Sequence, residues 1–524
     1  MMRKIFVPVT AALLSLAGTA FAAEFQPMGA LGIGGAGVAR TTNAMAGYWN
    51  PAGLAFNEHA FSMPISVGVG LRVSKGLADN VDKVSKFTEG DPSVFDNLKT
   101  IGTGQDATAL GDVVSLLAVL KDVETQKGTV SLQGNAVVAM QIKHFGFGAF
   151  GTMEGFAKPD IDTTNVLPSA VDGSTTPIDK AEFADAAAGS APSNAFFTDP
   201  TVRTDLTSAL IGAGFSGPQA NDILNNIDAR LATSSAGGSN IPAITQAQAA
   251  DVILNTLIPA LSAQVGDTQS IDNNRTAVVL KTIAYVEFPI SYGHPISLGR
   301  FGQLGIGASV KPIIGRVYSS ELLLVADNSV DSGNITSNMT KNYKQSTNVT
   351  VDLGAFYKYG SWLNVGLVAK NLTSPKFSAP ELKDQRGNLV TLDAKGNPVA
   401  AAEKVTLKPQ VRMGVALDPL SWLTIAADLD LTNNETVLSS ADYKSRNLGG
   451  GIELHPLTWF KLRAGMYKNL SNSDVGPVAT AGLTFGTKWV NFDLDGAYGL
   501  ESAQYKEKSY PKEARVQTTL NIQF

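Results

Sequence analysis

The chain ends on Arg515-Val516-Gln517-Thr518-Thr519-Leu520-Asn521-Ile522-Gln523-Phe524, in which polar and apolar residues alternate up to an aromatic carboxy-terminus. A period of two marks a strand with one apolar face. The pattern recurs: segments near 347–360, 362–373, 407–418, 421–432, 446–455, 458–468, 477–487, 489–500 and 513–524 all read as strands. Each is close to the ~9–11 residues that a tilted strand needs to cross a bilayer. Less regular strands are expected at 61–73, 129–142, 144–157, 276–292 and 302–317, which brings the total to about fourteen.

An even-stranded barrel sorts its connections by parity into two sets. One set here is short: Lys143-His144, Gly293-His294-Pro295, Tyr359-Gly360-Ser361, Asp418 to Ser421, His455 to Thr458 and Gly486-Thr487-Lys488. The other comprises 74–128, 158–275, 318–346, 374–406, 433–445, 469–476 and 501–512. Short turns on one side and long loops on the other is the asymmetry of outer-membrane barrels. The expected fold is therefore all-β: a single transmembrane antiparallel barrel with partly helical extracellular loops. Helices are expected at 110–122, after Ser216-Gly217-Pro218 with Ile223, Leu224, Ile227 and Leu231 at helical spacing, and from Thr245 to Val265 with an interruption at Pro259. The 158–275 insertion is either a small subdomain with its own core or a cap that offers apolar surface to a ligand.

Alternation also assigns faces. Leu423, Ile425, Ala427, Leu429 and Leu431 share one side of their strand, and Thr424, Ala426, Asp428 and Asp430 the other. The apolar side must meet lipid, since a basic residue there costs about 2–4 kcal/mol near the midplane. The same parity turns Arg72, Lys311, Asp352, Lys358, Arg412, Asp428, Asp430, Glu453, Lys461, Arg463, Asp493, Asp495 and Arg515 into the lumen, where opposite signs on neighbouring strands can pair. Trp362, Trp422, Trp459 and Trp489 each follow a short turn. They are expected to form an aromatic belt at the periplasmic interface, although strict alternation would aim them at the lumen.

The N-terminus carries Arg3 and Lys4, an apolar run from Ile5 to Leu16, and Ala20-Phe21-Ala22, the form of a signal peptide covering 1–22. No other stretch is long and apolar enough for a spanning helix. Behind the signal, Gly32-Ile33-Gly34-Gly35-Ala36-Gly37 satisfies the dinucleotide pattern G-x-G-x-x-G. The pattern needs a buried strand before it, and Ala23 to Leu31 contains Pro27 and Gly29. Catalysis lacks its parts as well. His144, His294 and His455 fall in or beside short turns, His59 precedes the first strand, and neither H-E-x-x-H nor G-x-S-x-G occurs. With no cysteine, no metal-binding motif and a net charge of -5, the sequence calls for no catalytic residue, metal, cofactor or nucleic acid.

The signal peptide, the glycine-rich segment Gly29 to Gly37, the tripeptide Asn50-Pro51-Ala52 before the first strand, about fourteen strands and the terminal Phe524 together resemble the FadL-type outer-membrane transport family. They are also similar to the related barrels grouped with the conjugal transfer protein TraF. The FadL-type resemblance implies a monomer in the bacterial outer membrane that takes up hydrophobic small molecules, such as long-chain fatty acids or hydrocarbons, by passive diffusion. It implies contact with outer-membrane lipid and insertion by the barrel assembly machinery, with Phe524 as the assembly signal. It implies further that residues 23–58 are an N-terminal lumen plug, or hatch, ahead of the barrel, 59–524, with Gly34, Gly35, Gly37, Tyr48, Trp49, Asn50, Pro51 and Ala52 along the ligand path. A sideways opening would fall on the glycine-rich third strand, at Gly146, Gly148 and Gly151. The loops depart from the family pattern, because the large helical insertions follow the first and third strands. The TraF-like resemblance implies instead a non-transporting barrel of a conjugal transfer or secretion apparatus.

Overall fold

Fourteen antiparallel strands close into one barrel in a computed structural model. It describes residues 24–74, 76–87, 109–167, 178–236, 241–262, 270–324, 337, 340–399, 404–435, 437, 444–506 and 508–524. The expected signal peptide, 1–22, lies outside the described residues. The strands are β1 (Phe61–Val73), β2 (Val130–Ile142), β3 (Phe145–Asp160), β4 in two halves (Ala277–Glu287 and Ile290–Ser297), β5 (Gln303–Leu323), β6 (Tyr343–Tyr359) and β7 (Leu363–Lys370). They continue as β8 (Gln410–Leu420), β9 (Leu423–Asp430), β10 (Asn447–Leu457), β11 (Phe460–Asn469), β12 (Val478–Gly486), β13 (Val490–Gly499) and β14 (Glu513–Gln523). Every strand pairs with its sequence neighbours, and β14 returns to β1, so no edge is left open.

The interruption of β4 has a local cause. Phe147 pairs with Ile290 and Phe150 with Glu287, which leaves Gly148 and Ala149 across from Phe288 and Pro289 with no ladder between them. Pro289 has no N–H to donate. The glycine-rich β3 itself runs unbroken; the break falls on its partner. Gly293-His294-Pro295, expected as a turn, lies inside the second half of β4 and pairs with Gly307, Ile306 and Gly305 of β5. The chain reverses later, through Leu298 to Gly302, where Gly299 and Gly302 take φ of 63° and 94°. Pro419 and Pro456 likewise end their strands in register shifts rather than clean turns.

The outside of the barrel is apolar. On β1, Ile65, Val67, Val69 and Leu71 are 40–58% exposed, while the alternating Ser66 and Arg72 are buried. An apolar exterior around a closed ladder is one of the two backbone solutions a bilayer accepts. No helix of the described residues is long and apolar enough to cross a membrane. Trp362, Trp422, Trp459 and Trp489 stand in the turns, outside the strand alternation, and all are about half exposed.

Opposite the turn end, the loops after β1 and β3 supply helices that share one core. These are α1 (Leu77–Lys86), α2 (Ala109–Gln126), α3 (Lys180–Ala187), α4 (Pro200–Gly212), α5 (Gly217–Ser235) and α6 (Gln246–Val252), the last running on through a π turn to Ser262. Ser216 and Thr245 open α5 and α6 with reciprocal capping boxes to Gln219 and Gln248. Pro259 does not break its helix as expected; the irregularity comes earlier, as the π turn Ile253–Leu257. Leu117, Phe183, Leu206, Ile223, Leu224, Ile227 and Leu261 pack against one another. The helical unit thus spends its apolar residues on its own core. Asp79 and Asp82 of α1 accept from the backbone N–H groups of Gln504 and Lys506 at 2.7 and 2.9 Å, tying it to the loop before β14.

Candidate functional site

Residues 24–57 lie inside the barrel, and the wall is shaped to receive them. The segment threads past β9 to β14, folds into the helical turn Ala46–Trp49 and finishes in the 3-10 turns Pro51–Phe56 beside β4, β5 and β6. Gly34 and Gly35 adopt φ of 67° and 73°, which only glycine takes without cost. Gly34 N–H donates to Thr480 Oγ1 at 3.1 Å, and Gly37 and Val38 N–H both donate to Asp428 Oδ2, at 2.9 and 3.0 Å. Gly37 cannot carry a side chain because Trp49 fills that space. The Trp49 indole N–H donates to Met28 O at 2.7 Å, and the Gln26 N–H donates to the Tyr48 hydroxyl at 2.9 Å.

Asn50 joins this segment to the wall. Its side-chain amide donates to Val38 O and Ala355 O, at 3.2 and 3.0 Å, and its Oδ1 accepts from Ala52 N–H at 3.1 Å. Pro51 is then the first residue of a 3-10 turn, where its missing N–H costs nothing. Opposite stand wall glycines that the sequence reading did not single out. A Cβ on Gly307 would run into Ala52, and one on Gly449 into Gly34. Their spacing carries no sequence signal, since only the path of the N-terminal segment says which wall positions must be bare.

Most of the charges expected to face the lumen are gathered on the β8 to β14 side. Arg412 pairs with Asp428 and Asp430 at 3.3 and 3.2 Å. Arg463 reaches Glu453, Asp493 and Asp495 at 2.5, 3.2 and 3.3 Å, and Arg40 of the N-terminal segment adds a bond of 2.6 Å to Glu453. Lys461 is half exposed and stands 3.8 Å from Glu453. Arg72 holds Glu24 at 3.0 Å and Glu513 at 2.7 Å. On the β5 to β6 side, Lys311 bridges Glu287 and Asp352 at 2.6 and 2.7 Å. Lys358 is half-buried. A polar cavity of about 220 Å³ opens at the turn end, lined by Arg40, Asn57, Lys461, Arg463, Asn491 and Asp493 among others.

The lumen is not polar all round. Along β3, β4 and β5 the inward positions include Phe156, Ile283, Tyr285, Ile313 and Val317, all buried and joined by Phe377, Leu407 and Val437 from the loops. At its loop end this apolar stripe opens into a mixed cavity of about 230 Å³, lined on one part by Val279, Val317, Ala379, Val405 and Val437 and on the other by Lys158, Asp160, Lys281, Glu321, Asp393 and Lys404. Beyond the buried Thr152 and Glu154 on the same face of β3, Phe150 stacks on Tyr48 of the N-terminal segment, 5.9 Å between centroids. Gly148 and Pro289, at the break between β3 and β4, lie just beyond. Gly146 faces Leu54 of the same segment, whereas Gly151 pairs with Val286 in the upper half. These apolar lumen residues were missed because alternation had assigned apolar side chains to lipid alone.

The imidazoles are dispersed. His144 Nδ1 lies 3.1 Å from Leu54 O, His294 Nδ1 lies 3.2 Å from the Tyr292 hydroxyl, and His455 Nε2 lies 2.6 Å from Glu453. No group of three candidate metal-binding side chains occurs among the described residues. At the carboxy-terminus Phe524 exchanges two backbone hydrogen bonds of 3.0 Å with Phe61, and the two rings stack at 4.8 Å.

The family model described as "F plasmid transfer operon, TraF, protein" matches residues 47–430. No curated protein matches the chain. Among solved structures, the Ralstonia pickettii toluene transporter TbuX aligns over 95% of this chain and 98% of its own, with 11% identity and a TM-score of 0.44. The P. putida toluene transporter TodX aligns over 95% and 98%, with 10% identity and a TM-score of 0.41. A Pseudomonas aeruginosa FadL homologue aligns over 97% and 98%, with 10% identity and a TM-score of 0.39.

Proposed function

The chain belongs to the TraF family of the F plasmid transfer operon, and we propose that it is a bacterial outer-membrane channel through which hydrophobic small molecules pass inward by diffusion. The observation that carries this reading is the apolar stripe Phe156, Ile283, Tyr285, Ile313 and Val317 in a lumen otherwise faced with ion pairs. A charged wall would repel an apolar solute by the desolvation of its own groups. The stripe offers an alternative that starts at the cavity at the loop end; Thr152, Glu154 and the Glu287–Lys311 pair lie between it and the break between β3 and β4.

On this reading residues 23–58 are a hatch. Gly34, Gly35 and Gly37 let it turn inside a crowded lumen, Asn50-Pro51-Ala52 anchors it, and Tyr48 and Trp49 face the path. The hydrophobic ligand leaves sideways toward outer-membrane lipid where Gly148 meets Pro289, with Gly146 and Gly151 in the same strand. The ion pairs of Asp428, Asp430, Lys461, Arg463, Asp493 and Asp495 hold the remaining wall shut, and the protein works as a monomer without a cofactor. Phe524 is the signal read by the barrel assembly machinery. Cells lacking the gene should take up labelled long-chain fatty acids or aromatic hydrocarbons more slowly; unchanged uptake of every such compound contradicts the proposal.

A second reading is favoured by the family description itself: a non-transporting barrel of a conjugal transfer or secretion apparatus. It predicts stable co-purification with envelope-machine proteins and normal hydrocarbon uptake in the deletion strain.

A further inference from the structure

Phe377 is a wholly buried aromatic residue that does not belong to the barrel wall. It comes from Lys376–Ser378, a short extended piece in the loop between β7 and β8, and its ring enters the lumen between two wall strands. Its seat is made by an absence. Gly315 of β5 faces the ring, and a Cβ there would stand 2.5 Å from a Phe377 ring carbon. Beside it, Tyr285 of β4, the cross-strand partner of Gly315, lies nearly parallel, with 6.0 Å between centroids and 15° between planes. A bare backbone and a parallel tyrosine form a flat slot in the middle of the apolar stripe.

The backbone carrying Phe377 is tied down by bonds that do not involve the ring. Asn348 of β6 donates to Lys376 O at 2.9 Å and accepts from Lys376 N–H at 3.3 Å, and Ser378 N–H donates to Ser346 Oγ at 3.0 Å. Val317, Ala379, Val405 and Val437 are shared between the cluster that holds the ring and the cavity of about 230 Å³ next to it. By volume alone that is more than the ~150 Å³ of a cavity that holds benzene, and the far wall carries Lys158, Asp160, Lys281, Glu321, Asp393 and Lys404. The ring therefore has space into which to rotate while its backbone stays in place.

We propose that the slot over Gly315 against Tyr285 is a binding seat for a single planar aromatic ring, and that Phe377 is its resident occupant, turned out into the neighbouring cavity when such a ligand enters. This rests on the channel reading above and narrows it: the substrate class is the small uncharged aromatic hydrocarbon. No charged group is required: the seat is made by the Gly315 backbone and the Tyr285 ring, with the Ala284 carbonyl oxygen as its nearest polar atom. Selection comes from planarity, because a puckered ring of similar size would press on the Gly315 backbone.

The test uses purified full-length protein and two probes, toluene and methylcyclohexane, with binding measured at equilibrium and uptake measured in cells. Phe377→Ala should bind toluene several-fold more tightly than the wild type, since the competitor is gone, with a smaller gain for methylcyclohexane. Gly315→Val fills the seat itself and should lose toluene binding, even combined with Phe377→Ala. Equal toluene affinity in wild type and Phe377→Ala, equal gains for both probes, or full binding by the Gly315→Val protein each overturns the seat. Uptake separates the two claims. If Phe377→Ala gains toluene affinity but no variant moves hydrocarbon, the channel reading fails and the seat stands. If uptake is present and binding is unaltered, the channel stands and the seat fails.

Discussion

The side-chain amide of Asn50 donates to the carbonyl of Ala355 at 3.0 Å, a single bond that fixes the N-terminal segment to β6. The same amide holds Val38 O, so one residue ties two parts of the segment to each other and to the wall. Removing it leaves two acceptors and the Ala52 N–H donor without their partner in a place water reaches poorly, at a cost of about 1–3 kcal/mol for each group left unsatisfied. Asn50→Ala should therefore assemble normally but show faster amide exchange across 44–56. Exchange equal to that of the wild type would mean that the anchor lies elsewhere.

Deleting 23–58 should leave a barrel that still closes through the Phe61 and Phe524 pairing but leaks small polar solutes. The physical reason is the bare wall. Gly307 and Gly449 have no side chains to fill the space that Ala52 and Gly34 vacate. Conductance or antibiotic sensitivity measures it, and a deletion no leakier than the intact protein would show that the segment is not a plug.

The break between β3 and β4 can be locked. The chain has no cysteine, so Ala149→Cys with Phe288→Cys, which face each other across the gap, introduces a single possible intramolecular disulfide. Oxidation should abolish hydrocarbon uptake and a reductant should restore it. Uptake indifferent to oxidation, with the bond shown to have formed, would place the exit elsewhere.

Lys311 neutralises two buried carboxylates, Glu287 and Asp352, from the strand adjoining that break. Removing one partner of a buried ion pair strands the other, typically at about 3–5 kcal/mol. Lys311→Met should lower the temperature at which the folded barrel converts to the unfolded band on gels. The double change with Glu287→Gln should recover part of the loss.

The strands were legible because most carry one apolar face, and a period of two survives wherever the two faces differ. It faded on β4, where Ala277-Val278-Val279-Leu280-Lys281-Thr282-Ile283 is apolar on both sides. There the inward residues are the stripe, and Ile283 cannot be told from a lipid-facing isoleucine by sequence alone. Gly293-His294-Pro295 read as a turn because its residue types favour turns, yet ladder bonds to β5 hold it extended. The seat of Phe377 was invisible for another reason, as it joins a loop residue to Gly315 across more than sixty positions of chain. Such pairings are fixed by packing, and no local pattern records them.

The apolar stripe is what the account depends on most, and Ile283→Glu tests it with one measurement. Ile283 is fully buried, facing Val317 across the β4 to β5 pair in the middle of the path. The measurement is the initial rate of labelled hydrocarbon uptake by deletion cells carrying either the wild-type gene or Ile283→Glu, at matched levels of folded barrel. The stripe predicts that the wild type restores uptake and that Ile283→Glu does not. Full restoration by Ile283→Glu would contradict it.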